Sequence, residues 1–63
     1  MQFDTIEVAV DGAVGALTLN VPERLNPLSP HTLDEIAEAA RWFDTHDRLQ
    51  VVVVSGAGRA FSS

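Results

Sequence analysis

The stretch Val51-Val52-Val53-Val54 decides the fold that this sequence predicts. Consecutive β-branched residues favour a strand that is apolar on both faces, and such strands are typical of parallel sheets covered by helices. A parallel strand needs a long crossover connection from its partner strand, usually an α-helix. The residues before the valines are therefore expected to supply a partner strand followed by a helix.

The segment before the valines has the periodicity of an amphipathic helix, which we predict at about residues 30–45. Ser29 can cap this helix with Pro30 at its first position, and Thr32 with Glu35 offers a competing capping box. Thr45-His46-Asp47 is expected to end it. The predicted apolar face is Leu33, Ile36, Ala37, Ala40 and Phe43, and the predicted polar face is Asp34, Glu35, Glu38 and Arg41.

Asp11-Gly12 predicts a β-hairpin, because a type I′ turn needs positive φ angles that these residues tolerate. Apolar and polar residues alternate before the turn, and small, β-branched and leucine residues follow it. We therefore predict antiparallel strands at about residues 4–10 and 13–20. The expected fold is α/β, with an amino-terminal β-hairpin followed by one right-handed βαβ unit.

Size and composition indicate that this assembly is incomplete. A chain of 63 residues, 46% hydrophobic and without cysteine, is globular in composition but cannot form a disulfide. A strand that is apolar on two faces needs cover on both, and one helix supplies only one. We therefore expect further protein to complete the domain, and we expect the isolated chain to be inactive and poorly folded.

The charge and apolar patterns of the sequence bear on its partners and its location. Four arginines and no lysine stand against nine carboxylates, a net charge of −5, which argues against nucleic-acid binding. No apolar run is long enough to predict a membrane span. The first residues carry neither a basic segment nor an apolar stretch of the signal-peptide type, so we expect a cytoplasmic protein.

Two of the four arginines lie in loops that follow predicted parallel strands. Such loops emerge at one edge of the sheet, where α/β proteins bind ligands, so Arg24 and Arg59 are expected at a common rim. Guanidinium groups there suit an anionic ligand such as a nucleotide phosphate. The alternative is that each arginine is solvated or pairs with a carboxylate such as Glu23. Gly56-Ala57-Gly58 lacks the third glycine of a dinucleotide-binding loop and is interpreted as a tight turn.

The remaining polar residues give no catalytic constellation. Ser55, Ser62 and Ser63 would need a nearby base to act as nucleophiles. His31 and His46 fall near opposite ends of the predicted helix, far from those serines. Neither histidine has a recognised metal-ligand spacing with the carboxylates around it, so no metal site is predicted.

The order of these segments resembles the opening of the crotonase, or enoyl-CoA hydratase/isomerase, family. The stretch Pro22-Glu23-Arg24-Leu25-Asn26-Pro27-Leu28-Ser29 is similar to the family's "NRPExxNAL" segment. After a helix and a valine-rich strand, Gly58-Arg59-Ala60-Phe61-Ser62-Ser63 is similar to its "GxGxAFxAG" segment. Two positions depart from the pattern, because Val21 stands where arginine is common and Pro27 where alanine is common.

The resemblance implies that residues 1–63 are the amino-terminal part of a single crotonase-like domain with the ββα spiral fold. It implies an acyl-CoA thioester as ligand, with Arg24 facing the phosphates, the backbone near Leu25 and Pro27 lining the adenosine or pantetheine, and Ser63 contacting the adenine side through its backbone. The thioester enolate would be held by a backbone oxyanion hole beyond Ser63, so no catalytic residue is assigned here.

The resemblance further implies a homotrimer or hexamer and no cofactor other than the coenzyme A of the substrate. Two other functions stay open. The chain could be a truncated, non-catalytic crotonase-like module that binds a partner. It could also be an unrelated small α/β module that binds a phosphorylated ligand.

Overall fold

A computed structural model describes residues 2–63 and has the predicted α/β architecture. The elements, in chain order, are β1 (Ile6–Asp11), β2 (Val14–Leu19), a short 3-10 helix (Pro22–Arg24), α1 (Pro30–Phe43) and β3 (Val51–Gly56). The three strands form one sheet in the order β1-β2-β3. Strands β1 and β2 pair antiparallel, and β2 and β3 pair parallel with α1 as their connection. The hairpin and the βαβ unit are therefore confirmed.

The hairpin turn lies one residue later than predicted. Asp11 pairs with Val14, so the turn residues are Gly12 and Ala13, and the strands are shorter than the predicted 4–10 and 13–20. Gly12 has a φ of 62°, whereas Ala13 is not among the residues with positive φ. Positive φ at the first central residue alone is the pattern of a type II′ turn, so the predicted type I′ turn is wrong. Glycine at the first central position favours a type II′ turn, which joins two antiparallel strands as tightly as a type I′ turn.

Helix α1 begins as predicted and ends slightly earlier. The hydroxyl of Ser29 accepts a hydrogen bond from the Thr32 backbone N–H at 3.2 Å, and Pro30 occupies the first turn. The helix ends at Phe43 rather than near residue 45, and a turn carries the chain to His46. A ring nitrogen of His46 lies 3.0 Å from the Trp42 carbonyl oxygen, which places this histidine at the carboxyl end of the helix, as expected.

The buried face of α1 agrees only in part with the predicted one, because Phe43 is buried as predicted but most of the other assigned residues are not. Ala39 and Phe43 pack with Ile6, Leu17 and Leu19 to form the core. Thr32 and Glu35 are also buried, although Glu35 was assigned to the polar face. Leu33, Ala37 and Ala40 were assigned to the apolar face but are exposed, and Ile36 is half-buried. The helix face toward the sheet thus carries polar as well as apolar residues, and tertiary contacts rather than helical periodicity decide that this face is buried.

A polar network explains why Thr32 and Glu35 are buried. The Glu35 carboxylate accepts hydrogen bonds from the backbone N–H of Asp4 (2.6 Å) and from both the backbone N–H (2.8 Å) and the hydroxyl of Thr5. The Thr32 hydroxyl donates to the Thr5 hydroxyl at 3.0 Å. These bonds fasten the segment before β1 to the first two turns of α1, and they turn this face of the helix toward the sheet.

The valine strand is not buried on both faces in this chain. Val51, Val53 and Val54 are each about half exposed, with 51%, 53% and 51% of their surface accessible. Among the described residues, strand β3 pairs only with β2 and lies at the edge of the sheet, and α1 packs over β1 and β2. The apolar character that predicted burial is real, but the described residues cover only part of it.

Candidate functional site

Two loops meet at one edge of the sheet, where the carboxyl ends of β2 and β3 lie side by side. Leu19 pairs with Gly56 in the parallel register, and the Ala57 N–H continues the ladder by donating to the Leu19 carbonyl at 2.8 Å. The first loop comprises residues 21–29 and the second comprises residues 57–63. We call the surface that they form together the rim.

The first loop is tightly wound around one carbonyl group. The Val21 carbonyl oxygen accepts hydrogen bonds from the backbone N–H groups of Arg24 and Asn26, both at 3.0 Å. The Leu25 N–H donates to the Pro22 carbonyl at 3.1 Å. Leu25 and Asn26 have φ angles of 60° and 52°, which residues other than glycine rarely adopt. Two consecutive residues in this conformation indicate that the surrounding contacts hold the loop in one shape.

The Asn26 side chain joins the two loops. Its Oδ1 accepts a hydrogen bond from the Val21 N–H at 2.7 Å, and its Nδ2 donates to the carbonyl oxygens of Ala57 (2.8 Å) and Ala60 (2.9 Å). The Asn26 backbone carbonyl also accepts from the Ser62 hydroxyl at 2.7 Å. Asn26 is only 1% exposed, so these bonds form away from competing solvent.

Close packing between Gly58 and Pro22 reinforces this connection. Gly58 has a φ of 83°, and a β-carbon added there would lie 2.7 Å from the Pro22 Cβ. The interpretation of Gly56-Ala57-Gly58 as a tight turn with an unusual φ angle is therefore confirmed at Gly58, whereas Gly56 is the last residue of β3. The rim is one interlocked surface rather than two independent loops.

The predicted ligand-binding residues lie on this surface. Arg24 and Ser63 are exposed, and Leu25 and Pro27 are half-buried in the first loop. Arg59 is exposed in the second loop. Within residues 2–63, no carboxylate lies within salt-bridge distance of either arginine, so the alternative in which Arg24 pairs with Glu23 is not seen. Unpaired guanidinium groups on a shaped rim can bind an anionic ligand.

A second group of polar residues lies away from the rim. The ligand-type atoms of Asp4, His31 and Glu35 lie within 4.8 Å of one another, and His31 Nε2 is 3.0 Å from Asp4 Oδ2 and 3.6 Å from Glu35 Oε2. Both Glu35 oxygens already accept hydrogen bonds from the segment before β1. Burial raises the pKa of Glu35, but bonds from the Thr5 hydroxyl and from the Asp4 and Thr5 N–H groups, with the charge of His31, leave this pKa below its usual 4.5. We interpret the cluster as a structural contact that holds the segment before β1 against α1.

Sequence reasoning missed the roles of Asn26 and Glu35. Asparagine tolerates the left-handed conformation better than most residues, which is a signal for a turn at residue 26 but not for a bond to the second loop. Nothing in the local sequence indicates that Leu25 has a positive φ.

Among the described residues, no helix has the length and apolar character required to cross a membrane.

Comparison with known proteins gives a consistent family description. The family model described as enoyl-CoA hydratase/isomerase matches residues 9–63. A probable enoyl-CoA hydratase from Mycobacterium bovis is 33% identical over 63 residues, which are 100% of this chain and 24% of that protein. The 3-hydroxyisobutyryl-CoA hydrolase-like protein 5 of Arabidopsis thaliana is 36% identical over 52 residues, which are 82% of this chain and 13% of that protein.

Solved structures support the same description of the fold. An enoyl-CoA hydratase/isomerase from Mycobacterium paratuberculosis superposes with a TM-score of 0.92 and 47% sequence identity, covering 98% of this chain and 24% of that structure. The chain thus spans about a quarter of the length of the enoyl-CoA hydratases that it matches. The similarity extends through both loops of the rim.

Proposed function

Because the chain belongs to the enoyl-CoA hydratase/isomerase family, we propose that its protein binds an acyl-CoA thioester at the rim and acts as a hydratase or isomerase. The observation that carries the proposal is the interlocking of the two family segments by Asn26, which leaves Arg24 exposed and without a carboxylate partner among residues 2–63. One relative is named a 3-hydroxyisobutyryl-CoA hydrolase-like protein, so similarity to this family does not by itself identify the reaction.

In this proposal, Arg24 contacts the phosphates of coenzyme A. The backbone near Leu25 and Pro27 lines the adenosine or pantetheine, and the Ser63 backbone contacts the adenine side. Pro27 has no N–H and can contribute only its carbonyl and its ring to such a surface. The unusual φ of Leu25 supports the assignment, because backbone held in a rarely populated conformation is common in ligand-binding loops.

The proposed chemistry is stabilisation of a thioester enolate. Backbone N–H groups aimed at the developing negative charge on the thioester oxygen lower the barrier to removing a proton from the adjacent carbon. Neither metal nor redox cofactor is required for this step, and coenzyme A enters only as part of the substrate. None of the residues described here is assigned a proton-transfer role. The proposal includes a homotrimer or hexamer, which rests on the family resemblance, and a cytoplasmic location, which rests on the sequence of the first residues.

A partner-binding, non-catalytic role is the second candidate function. The observation that favours it is the half-exposed apolar surface of β3, which offers Val51 and Val53 to another protein surface. A protein with this role would have no activity on any acyl-CoA. Activity measurements on the purified protein therefore distinguish the two candidates.

Binding of butyryl-CoA tests the first proposal directly. We expect calorimetry on the protein expressed from its complete gene to give a dissociation constant that Arg24→Ala raises about two- to fivefold, the range for one partly screened charged contact. The effect should be larger at about 10 mM than at about 150 mM ionic strength, where the screening length falls from roughly 30 to 8 Å. Arg48→Ala removes an exposed arginine before β3, far from the rim along the strand, and should leave binding unchanged.

The mechanism has a separate test. After treatment with a chelator, the protein should wash deuterium from heavy water into the carbon next to the butyryl thioester. Activity on any acyl-CoA that disappears on chelation and returns with zinc or iron would contradict the proposed mechanism.

In the binding test, equal affinities of the wild type and Arg24→Ala for butyryl-CoA would contradict the assignment of Arg24.

A further inference from the structure

We infer that Asn26 is a positioning residue for the acyl-CoA site, because its side-chain amide holds the peptide groups 57–58 and 60–61 of the second loop against the first loop. This inference rests on the proposed function. Asn26 would not touch the ligand, since it is 1% exposed beneath the rim. It would act through the backbone that it orients.

The hydrogen bonds of Asn26 use both donors of the amide. One N–H goes to the Ala57 carbonyl and the other to the Ala60 carbonyl, while Oδ1 accepts from Val21 in the first loop. An asparagine amide has two N–H donors and one carbonyl acceptor, so no other residue type of this size makes the same three bonds. Aspartate retains the acceptor and loses both donors.

The orientation of the two peptide groups has a consequence for ligand binding. In a planar trans peptide, the C=O and the N–H point in opposite directions. The carbonyls of Ala57 and Ala60 point to Asn26, so the N–H groups of Gly58 and Phe61 point away from it. Within residues 2–63 neither of these N–H groups donates to a protein acceptor. Both therefore remain free to donate to polar groups of a bound acyl-CoA.

Besides the Asn26 amide, the second loop is held by the close packing of Gly58 against Pro22 and by two further hydrogen bonds. Among the described residues, only two other hydrogen bonds join this loop to the rest of the protein. The Ala57 N–H donates to the Leu19 carbonyl, and the Ser62 hydroxyl donates to the Asn26 carbonyl. Phe61 is 56% exposed, so more than half of its surface stays outside the packing of the loop. Loss of the amide donors would leave two inward-facing carbonyls unpaired and would allow the loop to turn them toward water.

The variant Asn26→Asp tests this inference, with Asn20→Asp as its matched control. Asn20 is exposed and, within residues 2–63, its amide donates only to Glu7, at 3.2 Å, so the control makes the same chemical change outside the contact between the two loops. At pH 8 we expect Asn26→Asp to raise the dissociation constant for butyryl-CoA about tenfold or more, the effect of losing one to two buried hydrogen bonds. The control should bind like the wild type.

A pH profile separates positioning from general damage to the fold. Burial and the two facing carbonyl oxygens disfavour a charged carboxylate, so the aspartate introduced at position 26 should take up a proton well above the ordinary range. The protonated form has one O–H donor and restores one of the two lost bonds. The affinity of Asn26→Asp relative to the wild type should therefore improve as the pH falls from 8 toward 5.5, whereas that of Asn20→Asp should not change.

Hydrogen exchange supplies a second readout. Butyryl-CoA should protect the amides of residues 57–63 from exchange in the wild type, and this protection should be lost in Asn26→Asp at pH 8. If Asn26→Asp does not fold, Ser62→Ala removes only the hydroxyl bond to the Asn26 carbonyl and should weaken binding about two- to fivefold by the same route.

Three results would overturn the inference. The first is a folded Asn26→Asp protein that binds butyryl-CoA within twofold of the wild type at both pH values. The second, should that variant not fold, is unchanged binding by Ser62→Ala. The third is a wild-type protein that binds no acyl-CoA, which would overturn the proposed function and this inference together. The wild-type measurement alone distinguishes that failure from the other two.

Discussion

Replacing Glu35 by glutamine should destabilise the protein by removing one charge-assisted bond and weakening two others. Glu35 is 8% exposed, and its carboxylate accepts from the Asp4 N–H through Oε2 and from the Thr5 N–H and hydroxyl through Oε1. The glutamine oxygen can still accept both bonds from Thr5. Its NH₂ group then faces the Asp4 N–H, and that donor is left without its acceptor.

The expected magnitude follows from the lost bonds. A hydrogen bond to a charged group contributes about 1.5–3 kcal/mol, and a neutral acceptor about 0.5–1.5 kcal/mol. Loss of the Asp4 bond together with weaker bonds from Thr5 gives a destabilisation of about 2–4 kcal/mol at pH 7. Glu38→Gln makes the same change at an exposed position of the same helix and should cost less than about 0.5 kcal/mol.

The pH dependence has a definite sign. The pKa of Glu35 is lowered in the folded protein relative to the usual 4.5, so its contribution to stability is present above pH 4.5 and is lost as the pH falls through the lowered pKa. The gap in unfolding free energy between the wild type and Glu35→Gln should therefore be widest at pH 7 and should shrink in acid. Urea unfolding followed by circular dichroism on the protein expressed from its complete gene measures this gap. A gap below about 0.5 kcal/mol at pH 7, or one that stays constant into acid, would refute the reasoning.

Two further predictions concern the rim and the valine strand. Gly58→Ala should destabilise by about 1–3 kcal/mol more than Gly12→Ala in urea unfolding, because both glycines have positive φ but only a β-carbon at residue 58 meets Pro22; equal losses would show that the loop shifts freely. A peptide of residues 1–63 alone should show no cooperative thermal transition by circular dichroism at micromolar concentration, because the valines of β3 remain half exposed; a sharp transition would contradict this expectation.

Most of the fold could be predicted because its signals are local. The capped start of α1 at Ser29 and Pro30, the hairpin near Gly12 and the valine run of β3 each depend on a few neighbouring residues. The parallel pairing of β2 and β3 follows from the helix between them, and it places the two arginine-bearing loops at one edge. The candidate rim was therefore within reach of the sequence, whereas the ligand contacts assigned to it stay predictions.

The buried face of α1 could be predicted only in part, because the side of the helix that faces the sheet carries polar residues. Helical periodicity alone favours Leu33, Ala37 and Ala40, all of which are exposed. The network from Glu35 to Asp4 and Thr5 spans about 30 residues of sequence, and it rotates the helix so that Ala39 faces the core. A local pattern contains no information about a bond of this range.

The two residues that sequence reasoning missed, Glu35 and Asn26, perform the same physical task at different places. Each is a buried polar side chain, 8% and 1% exposed, whose bonds reach segments about 30 residues away in sequence. Such a side chain is costly unless every partner is in place, so it favours one arrangement of the segments over near alternatives that hydrophobic packing would tolerate. Glu35 fixes the segment before β1 against α1, and Asn26 fixes the second loop against the first. Because the second pair of segments carries Arg24 and Arg59, a change at Asn26 should alter ligand binding, whereas a change at Glu35 should first alter stability.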